Sequence, residues 1–202
     1  MNTRGFFGHQ RPNKQIQKRL PPGQHLTEGF PVLSAGPSPI ISLTDWDFTI
    51  ENVDGLSSKW SWDDFKQLPN ENLTTDIHCV TKWSKFDTNW TGVRLDTLLQ
   101  ASKMTFSGNY VMVFCDGGYT TNIPLEELLE GKSLIAFEYE GAPIPIDHGG
   151  PVRLIVPGLY FWKSAKWIRG IKFMDDDRPG FWEEYGYHML GDPWREQRYW
   201  GD

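Results

Sequence analysis

The chain has 202 residues, 39% apolar and 23% charged, the composition of a globular protein with material for one substantial domain. A formal net charge of −6 excludes a mainly nucleic-acid-binding protein, because phosphate backbones demand a basic surface. No apolar run approaches the about 20 residues of a membrane span. The two cysteines are too few for a disulfide scaffold, and the first residues hold no apolar signal-peptide core. We therefore expect a cytoplasmic protein.

In chain order, residues 1–40 read as a basic arm followed by a Pro/Gly-rich loop. Arg4, Arg11, Lys14, Lys18 and Arg19 precede the first acid, Glu28. Such an arm is a solvated flank or a strap over an anionic ligand. Residues 41–175 read as the ordered domain. Asp47 to Val53 alternates apolar and polar residues as a half-buried strand does. Ser61 to Pro69 predicts a short helix with Ser61 as N-cap and acids in the first turn.

Thr74 to Val80 predicts a strand that delivers Cys79, followed by a Trp- and Gly-rich turn. Leu95 to Ser102 reads as a helix, and Tyr110 to Cys115 as a buried strand stopped by Asp116-Gly-Gly118. Pro124 to Gly131 carries helix signals at both ends. Leu134 to Tyr139, Val152 to Val156 and Lys166 to Phe173 read as further strands. Strands outnumber helices without alternating with them, so the expected fold is α+β, one domain of mixed or antiparallel sheets with short helices. Residues 176–202 form an acidic tail with seven large rings, expected to pack on the domain.

Pro145-Ile-Asp-His-Gly-Gly-Pro-Val-Arg-Leu-Ile-Val-Pro-Gly158 places Arg153 inside an apolar strand. A buried guanidinium must be paired, either with an internal carboxylate (Asp147 or Asp116) or with a ligand phosphate. Lys163, Ser164 and Lys166 follow within a few residues and strengthen the case for an anion site. His148, before the glycine turn, either donates to a ligand or bonds the backbone. His78 neighbours Cys79 on a strand and points the other way, so adjacent residues make no Cys–His nucleophilic pair. Zinc ligand spacing is missing. Cys115 reads as a buried, inert thiol. Cys79 itself is open to four roles: filler, disulfide partner, nucleophile or metal ligand.

The stretch 145–158 followed by Lys163-Ser-Ala-Lys-Trp167 resembles the molybdopterin-binding domain of the sulfite oxidase superfamily. The resemblance includes a Cys at a strand end, the run Trp90 to Leu95 before a helix, and Gly118-Tyr-Thr-Thr-Asn-Ile-Pro-Leu125. It covers about Phe48 to Phe173. It implies a molybdenum–molybdopterin cofactor with Cys79 as its thiolate ligand. It further implies that Arg153, Lys166, Ser164, Ala165 and His148 hold the pterin and its phosphate, with Asp116 touching the pterin. The loop Gly29 to Ser34, with Leu33 and Ser34, would sit where the resemblance places an upstream pterin-binding loop.

The departures concern the substrate. By the resemblance, Phe137 stands where sulfite oxidases carry an active-site tyrosine, and the upstream loop lacks an Arg-Asn-His sequence. Lys82, Lys85 or the basic arm would have to supply cations. There is no room for an added dimerisation domain and no haem or iron–sulfur motif, so the chain looks closer to short stand-alone members, among them a methionine sulfoxide reductase subunit. The expected function is two-electron oxo transfer on a small substrate, sulfite-like oxidation or sulfoxide-like reduction, with electrons exchanged with an external protein. A non-catalytic aromatic-rich β binding module and a thiol hydrolase are the rival readings.

Overall fold

The computed structural model describes residues 14–202; Arg4 and Arg11 of the basic arm lie outside them. Eleven strands and four α-helices run in the order α1 (Lys14–Arg19), β1 (His25–Leu26), β2 (Asp47–Glu51), β3 (Ser57–Ser61), α2 (Trp62–Gln67), β4 (Glu71–His78), β5 (Trp83–Arg94), α3 (Leu95–Ser102), β6 (Tyr110–Cys115), β7 (Thr120–Pro124), β8 (Leu134–Tyr139), β9 (Ala142–Pro143), β10 (Arg153–Ile155), β11 (Ile168–Met174) and α4 (Phe181–Glu184). They build two mixed sheets. One joins β1, β5, β8 and β10, with β4 on β5 and β9 on β8; the other runs β3-β2-β11-β6-β7. The pairs β1–β5 and β2–β11 are parallel and the rest antiparallel. This is the α+β domain of mixed sheets and short helices that the sequence predicts.

The main core lies between the sheets. Phe48 and Ile50 of β2, Val111 and Val113 of β6, and Ile171 and Phe173 of β11 meet Val93, Ile135, Phe137 and Leu154 from the six-stranded sheet. Alternate residues of each strand point inward, the period-2 pattern of a sheet with one buried face. The strand β8 is buried on both faces. Its Leu134 and Ala136 join a second cluster with Trp90, Ile144 and Ile155. Ser61 closes a capping box on α2: its hydroxyl accepts from the Asp64 N–H while the Asp64 carboxylate accepts from the Ser61 N–H.

Two expectations fail in informative ways. The Trp- and Gly-rich stretch after Cys79 is no turn beyond Lys82; it is β5, a twelve-residue strand at the centre of its sheet. Gly92, the glycine of that stretch, sits at a register shift where β8 comes so close that an added Cβ would meet the Ile135 carbonyl oxygen at 2.3 Å. Pro124 to Gly131 is no α-helix either. Pro124 ends β7, paired with Tyr110, and only one 3₁₀ turn, Leu125–Glu127, follows. The chain then turns at Glu130 and Gly131, whose N–H groups bond to the Asp96 carboxylate.

The tail packs through charge as well as rings. Glu183 of α4 and Lys163 form a fully buried ion pair at 2.7 Å. Trp162 and Thr121 donate to the same carboxylate oxygen, and the Lys163 amine also donates to Asn122 and to the Met189 carbonyl. The pair ties residues 181–191 to β7 and to the loop before β11.

Candidate functional site

Cys79 lies one residue past the end of β4, at the first corner of a tight hairpin. Its N–H donates to the Trp83 carbonyl, and its own carbonyl accepts from the Lys82 N–H. This is a three-residue hairpin loop whose last position takes a left-handed backbone. Lys82 holds that position with φ +75°, where glycine would be unstrained. A third donor, the Gln24 amide, reaches the Cys79 carbonyl at 3.0 Å. The thiol is buried, with Thr81 Oγ1 at 3.1 Å from Sγ.

Burial pushes the Cys79 thiol above its ordinary value, against the lowering effect of the Thr81 bonds. A hydrolytic thiol needs the opposite shift and an imidazole base. His78 is no such base: it bonds Ser84 Oγ at 2.8 Å. His148 stacks on Phe30. Both cysteines are free, so the disulfide role falls away. Among the described residues, no three His, Cys, Asp or Glu side chains gather as a metal site. A metal held here would take a single thiolate from the protein.

Across a cluster of rings from Cys79 stand two cations. Arg153 on β10 is in register with Ala136 and shares its face. It is 1% exposed, and it meets no carboxylate. It donates to the His148 and Ser164 carbonyls at 2.6 and 2.7 Å, its guanidinium lies 4.2 Å over the Phe161 ring, and Nε has no partner among the described residues. Burial pushes it down to about 9. The Lys166 amine donates to the Leu33 and Asp147 carbonyls. Burial and then the Arg153 charge push it down to about 8. Two neighbouring cations satisfied by carbonyls alone form a site of positive potential.

Phe30 links the two halves. It stacks on His148 at 4.0 Å, and it touches Trp83, Phe161, Trp90 and Tyr139. Cys79, Ile77 and Trp83 pack against the same Phe30 and Phe161. The Phe161 N–H donates to the His78 carbonyl, fixing the Cys79 hairpin to the loop that carries Ser164, Ala165 and Lys166.

The structure separates other residues that the sequence groups together. Lys163 takes no part in the anion site, because it is buried against Glu183 on the far side of the loop. Phe137 does not face Cys79. It alternates with Ala136 on β8 and belongs to the core between the sheets, edge-on to Trp62 and Phe65, with the Lys66 amine over its ring. Neither carboxylate expected for Arg153 reaches it: Asp116 pairs with Arg169 at 3.5 Å, although its N–H donates to the Trp167 carbonyl beside Lys166. The Ser164 hydroxyl accepts from the Val156 N–H. Leu33 meets Lys166 through its carbonyl, whereas Ser34 bonds only Gly36. Arg19 is held by Asp76 and Asp87 over the Phe86 ring, so it straps the chain, not a ligand.

Beside the Cys79 hairpin opens a cleft of about 580 Å³, lined by Val80, Thr81 and Lys82 on one side and Tyr187, Arg198 and Tyr199 on the other, with Glu196 and Asp202. Sequence reasoning missed Tyr187 and Arg198. The signal was there only as a tail too aromatic to be loose. Tyr187 is raised above its ordinary value by burial, then by Tyr199 and Cys79, so its hydroxyl keeps its proton near neutrality.

Comparison with known proteins shows the family and the fold. Residues 35–182 match the oxidoreductase molybdopterin binding domain family. An uncharacterized oxidoreductase, YuiH of Bacillus subtilis, is 42% identical over 96% of this chain and 98% of its own length. A putative protein-methionine-sulfoxide reductase subunit, YedZ1 of Azospira oryzae, is 28% identical over 84% of this chain and 66% of its own. Mouse mitochondrial sulfite oxidase is 26% identical over 83% of this chain, which spans only 37% of that protein. The sulfane dehydrogenase SoxCD of Paracoccus pantotrophus superposes with a TM-score of 0.61 at 19% identity, over 69% of this chain and 40% of that one. With a match over most of its length and a shared fold, the chain belongs to the oxidoreductase molybdopterin-binding domain family of sulfite oxidase type.

Proposed function

We propose that this enzyme uses its molybdenum–molybdopterin cofactor to reduce a small, uncharged oxygen-bearing substrate of the sulfoxide kind. The observation that carries the cofactor's placement is the Arg153–Lys166 cation pair, without a carboxylate, facing a buried thiol across Phe30 and Phe161. The residues fit the group. The orphaned Arg153 Nε and the carbonyl-bound Lys166 amine offer charge-assisted donors to a phosphate, and Cys79 offers a soft sulfur. In this reading Cys79 is the metal ligand. Arg153 and Lys166, with His148, Ser164, Ala165, Leu33, Ser34 and Asp116 around them, hold pterin and phosphate.

When bound, the cofactor supplies a two-electron couple at a metal that can take up an oxygen atom. The chain supplies the rest. Cys79 must lose its proton to ligate, so ligation releases a proton at Sγ. Phe30, Trp83 and Phe161 keep water from the thiol. Lys82, exposed at the cleft mouth, is a cation for the substrate oxygen. The Tyr187 hydroxyl is a second donor on the opposite wall. Reduction of a sulfoxide consumes two electrons and two protons and releases water, so an external protein must deliver the electrons.

The cleft's charges favour this direction over sulfite oxidation. Lys82 and Arg198 are balanced by Glu196, 2.9 Å from Arg198, and by Asp202. A doubly charged oxyanion needs cations without such counter-charges. A methionine-sulfoxide reductase subunit among the relatives supports the same choice. Two buried free thiols accord with a reducing compartment, and we propose the cytoplasm. Among the described residues no helix is long and apolar enough to cross a membrane.

The function is tested on metal-loaded protein by two assays. Reduced viologen should be consumed with dimethyl sulfoxide faster than ferricyanide is with sulfite; the reverse order would assign sulfite oxidation instead. The strained Lys82 gives a second test. Lys82→Gly should raise stability by about 1 kcal/mol, because a left-handed non-glycine residue costs about 1–2 kcal/mol, yet slow sulfoxide turnover about tenfold. Unchanged turnover would leave Lys82 without a role.

The anion site gives a pH test. Below about pH 8 Lys166 is charged and holds an anion; above it the amine is neutral in the folded state. A base with a lowered folded value costs stability below that value, a cost relieved as pH rises. In cofactor-free protein, sulfate should therefore raise the melting temperature most near pH 7, and less as pH climbs through about 8. A sulfate effect constant from pH 7 to 9.5 would contradict the assignment.

A further inference from the structure

We propose that Arg198 is a substrate-binding residue that selects for a neutral or zwitterionic S-oxide, by donating Nε–H to the substrate's oxygen. This rests on the cleft beside Cys79 being the substrate site. The geometry is unusual for a salt-bridged arginine. Arg198 is 8% exposed yet lines the cleft. Its Nη1 donates to Glu196 at 2.9 Å and its Nη2 to the Pro22 carbonyl at 3.5 Å, while Nε, also buried, bonds nothing among the described residues. The guanidinium is braced over the Tyr160 ring at 5.2 Å. A buried donor left unpaired costs free energy, and here it belongs to a side chain on the wall of a cavity.

The brace comes from both flanks of the chain. Pro22 lies before the segment that matches the family, 35–182, and Glu196 and Arg198 lie after it. The flanks touch: a Cβ added at Gly23, itself at φ +70°, would stand 2.8 Å from the Glu196 carboxylate. Asp202 Oδ2 accepts from the Arg198 and Tyr199 N–H groups, drawing the tail inward. The proposed selecting wall is thus built from residues on both sides of the family-matched segment.

The ligand class follows from charge. Glu196 neutralises the guanidinium, so what remains is a directed donor with little net charge. That suits the partial negative charge of an S=O oxygen. A dianion would meet Glu196 and Asp202 as like charges, and such juxtaposition is a specificity device.

The test uses the metal-loaded enzyme with dimethyl sulfoxide and reduced viologen. Arg198→Met and Arg198→Lys should each raise KM at least tenfold, hold kcat within threefold, and keep the visible absorption of the metal centre. Lysine retains the charge but has no Nε–H at that place. Glu196→Gln removes a like charge that a dianion would meet, so it should strengthen inhibition by sulfite several-fold. An unchanged KM in Arg198→Lys, or loss of the visible band in both Arg198 variants, would overturn the proposal. An independent readout covers an enzyme without measurable turnover: dimethyl sulfone added to cofactor-free protein should change the fluorescence of wild type but not of Arg198→Lys. Equal responses, or none in wild type, would sink the role of Arg198, whereas loss of sulfoxide turnover with wild-type sulfone binding intact would sink only the reaction.

Discussion

Everything in this fold that bears on chemistry depends on one costly arrangement, a buried guanidinium without a carboxylate. Taking Arg153 out of water costs several kcal/mol. Two carbonyls and two rings, Phe161 and Trp90, offset part of that cost, yet Nε is left unbonded among the described residues. A protein selected only for stability would place a leucine there. Placing a cation instead, with the Lys166 amine beside it, makes sense when a phosphate-bearing group completes the charge balance. The surrounding structure serves this end. The glycine turn at 149–150 brings β10 under Phe30, and Gly150 admits no side chain, since a Cβ there would stand 2.0 Å from the Ile144 carbonyl oxygen.

A second constraint is the hairpin that presents Cys79. Three backbone or side-chain bonds converge on that residue's peptide groups, and a lysine takes the left-handed position that glycine would hold without strain. Strain of this kind persists where surrounding structure enforces it. Here β1 and β5 do so, with Gln24 bridging between the Cys79 carbonyl and Ser84. Cys79 is thus held by its backbone, and its thiol meets the Thr81 hydroxyl. The Lys163–Glu183 pair does for the far wall what the hairpin does for the near one, anchoring the tail that carries Tyr187.

The fold and the residues of the proposed cofactor half are the more legible in the sequence, because their signals are local. The Ser61 cap, the apolar run around Arg153 and the tight glycine turn each lie within a few residues and obey short-range rules. What it hides depends on parity and on distance. Phe137 and Ala136 are neighbours, and only the register of β8 on β10 shows which of them shares a face with Arg153. Lys163 and Lys166 are three residues apart, yet one is turned into a buried ion pair with a tail twenty residues on. Gly92 belongs to a stretch that reads as a turn, because a bulge in a central strand and a turn use the same residue. The proposed substrate cleft was invisible for the simplest reason: its two walls, residues 80–82 and residues from 187 onward, lie far apart in the chain.

In the proposed reading, Arg153 and Cys79 exist to hold the molybdenum–molybdopterin cofactor. The most direct test is the molybdenum and pterin content per chain of wild type, Arg153→Met and Cys79→Ala purified from one cofactor-competent host. Wild type should hold molybdenum and pterin together, Arg153→Met should lose both, and Cys79→Ala should retain pterin with a depleted metal and no visible thiolate band. Full cofactor content in folded Arg153→Met protein would contradict it.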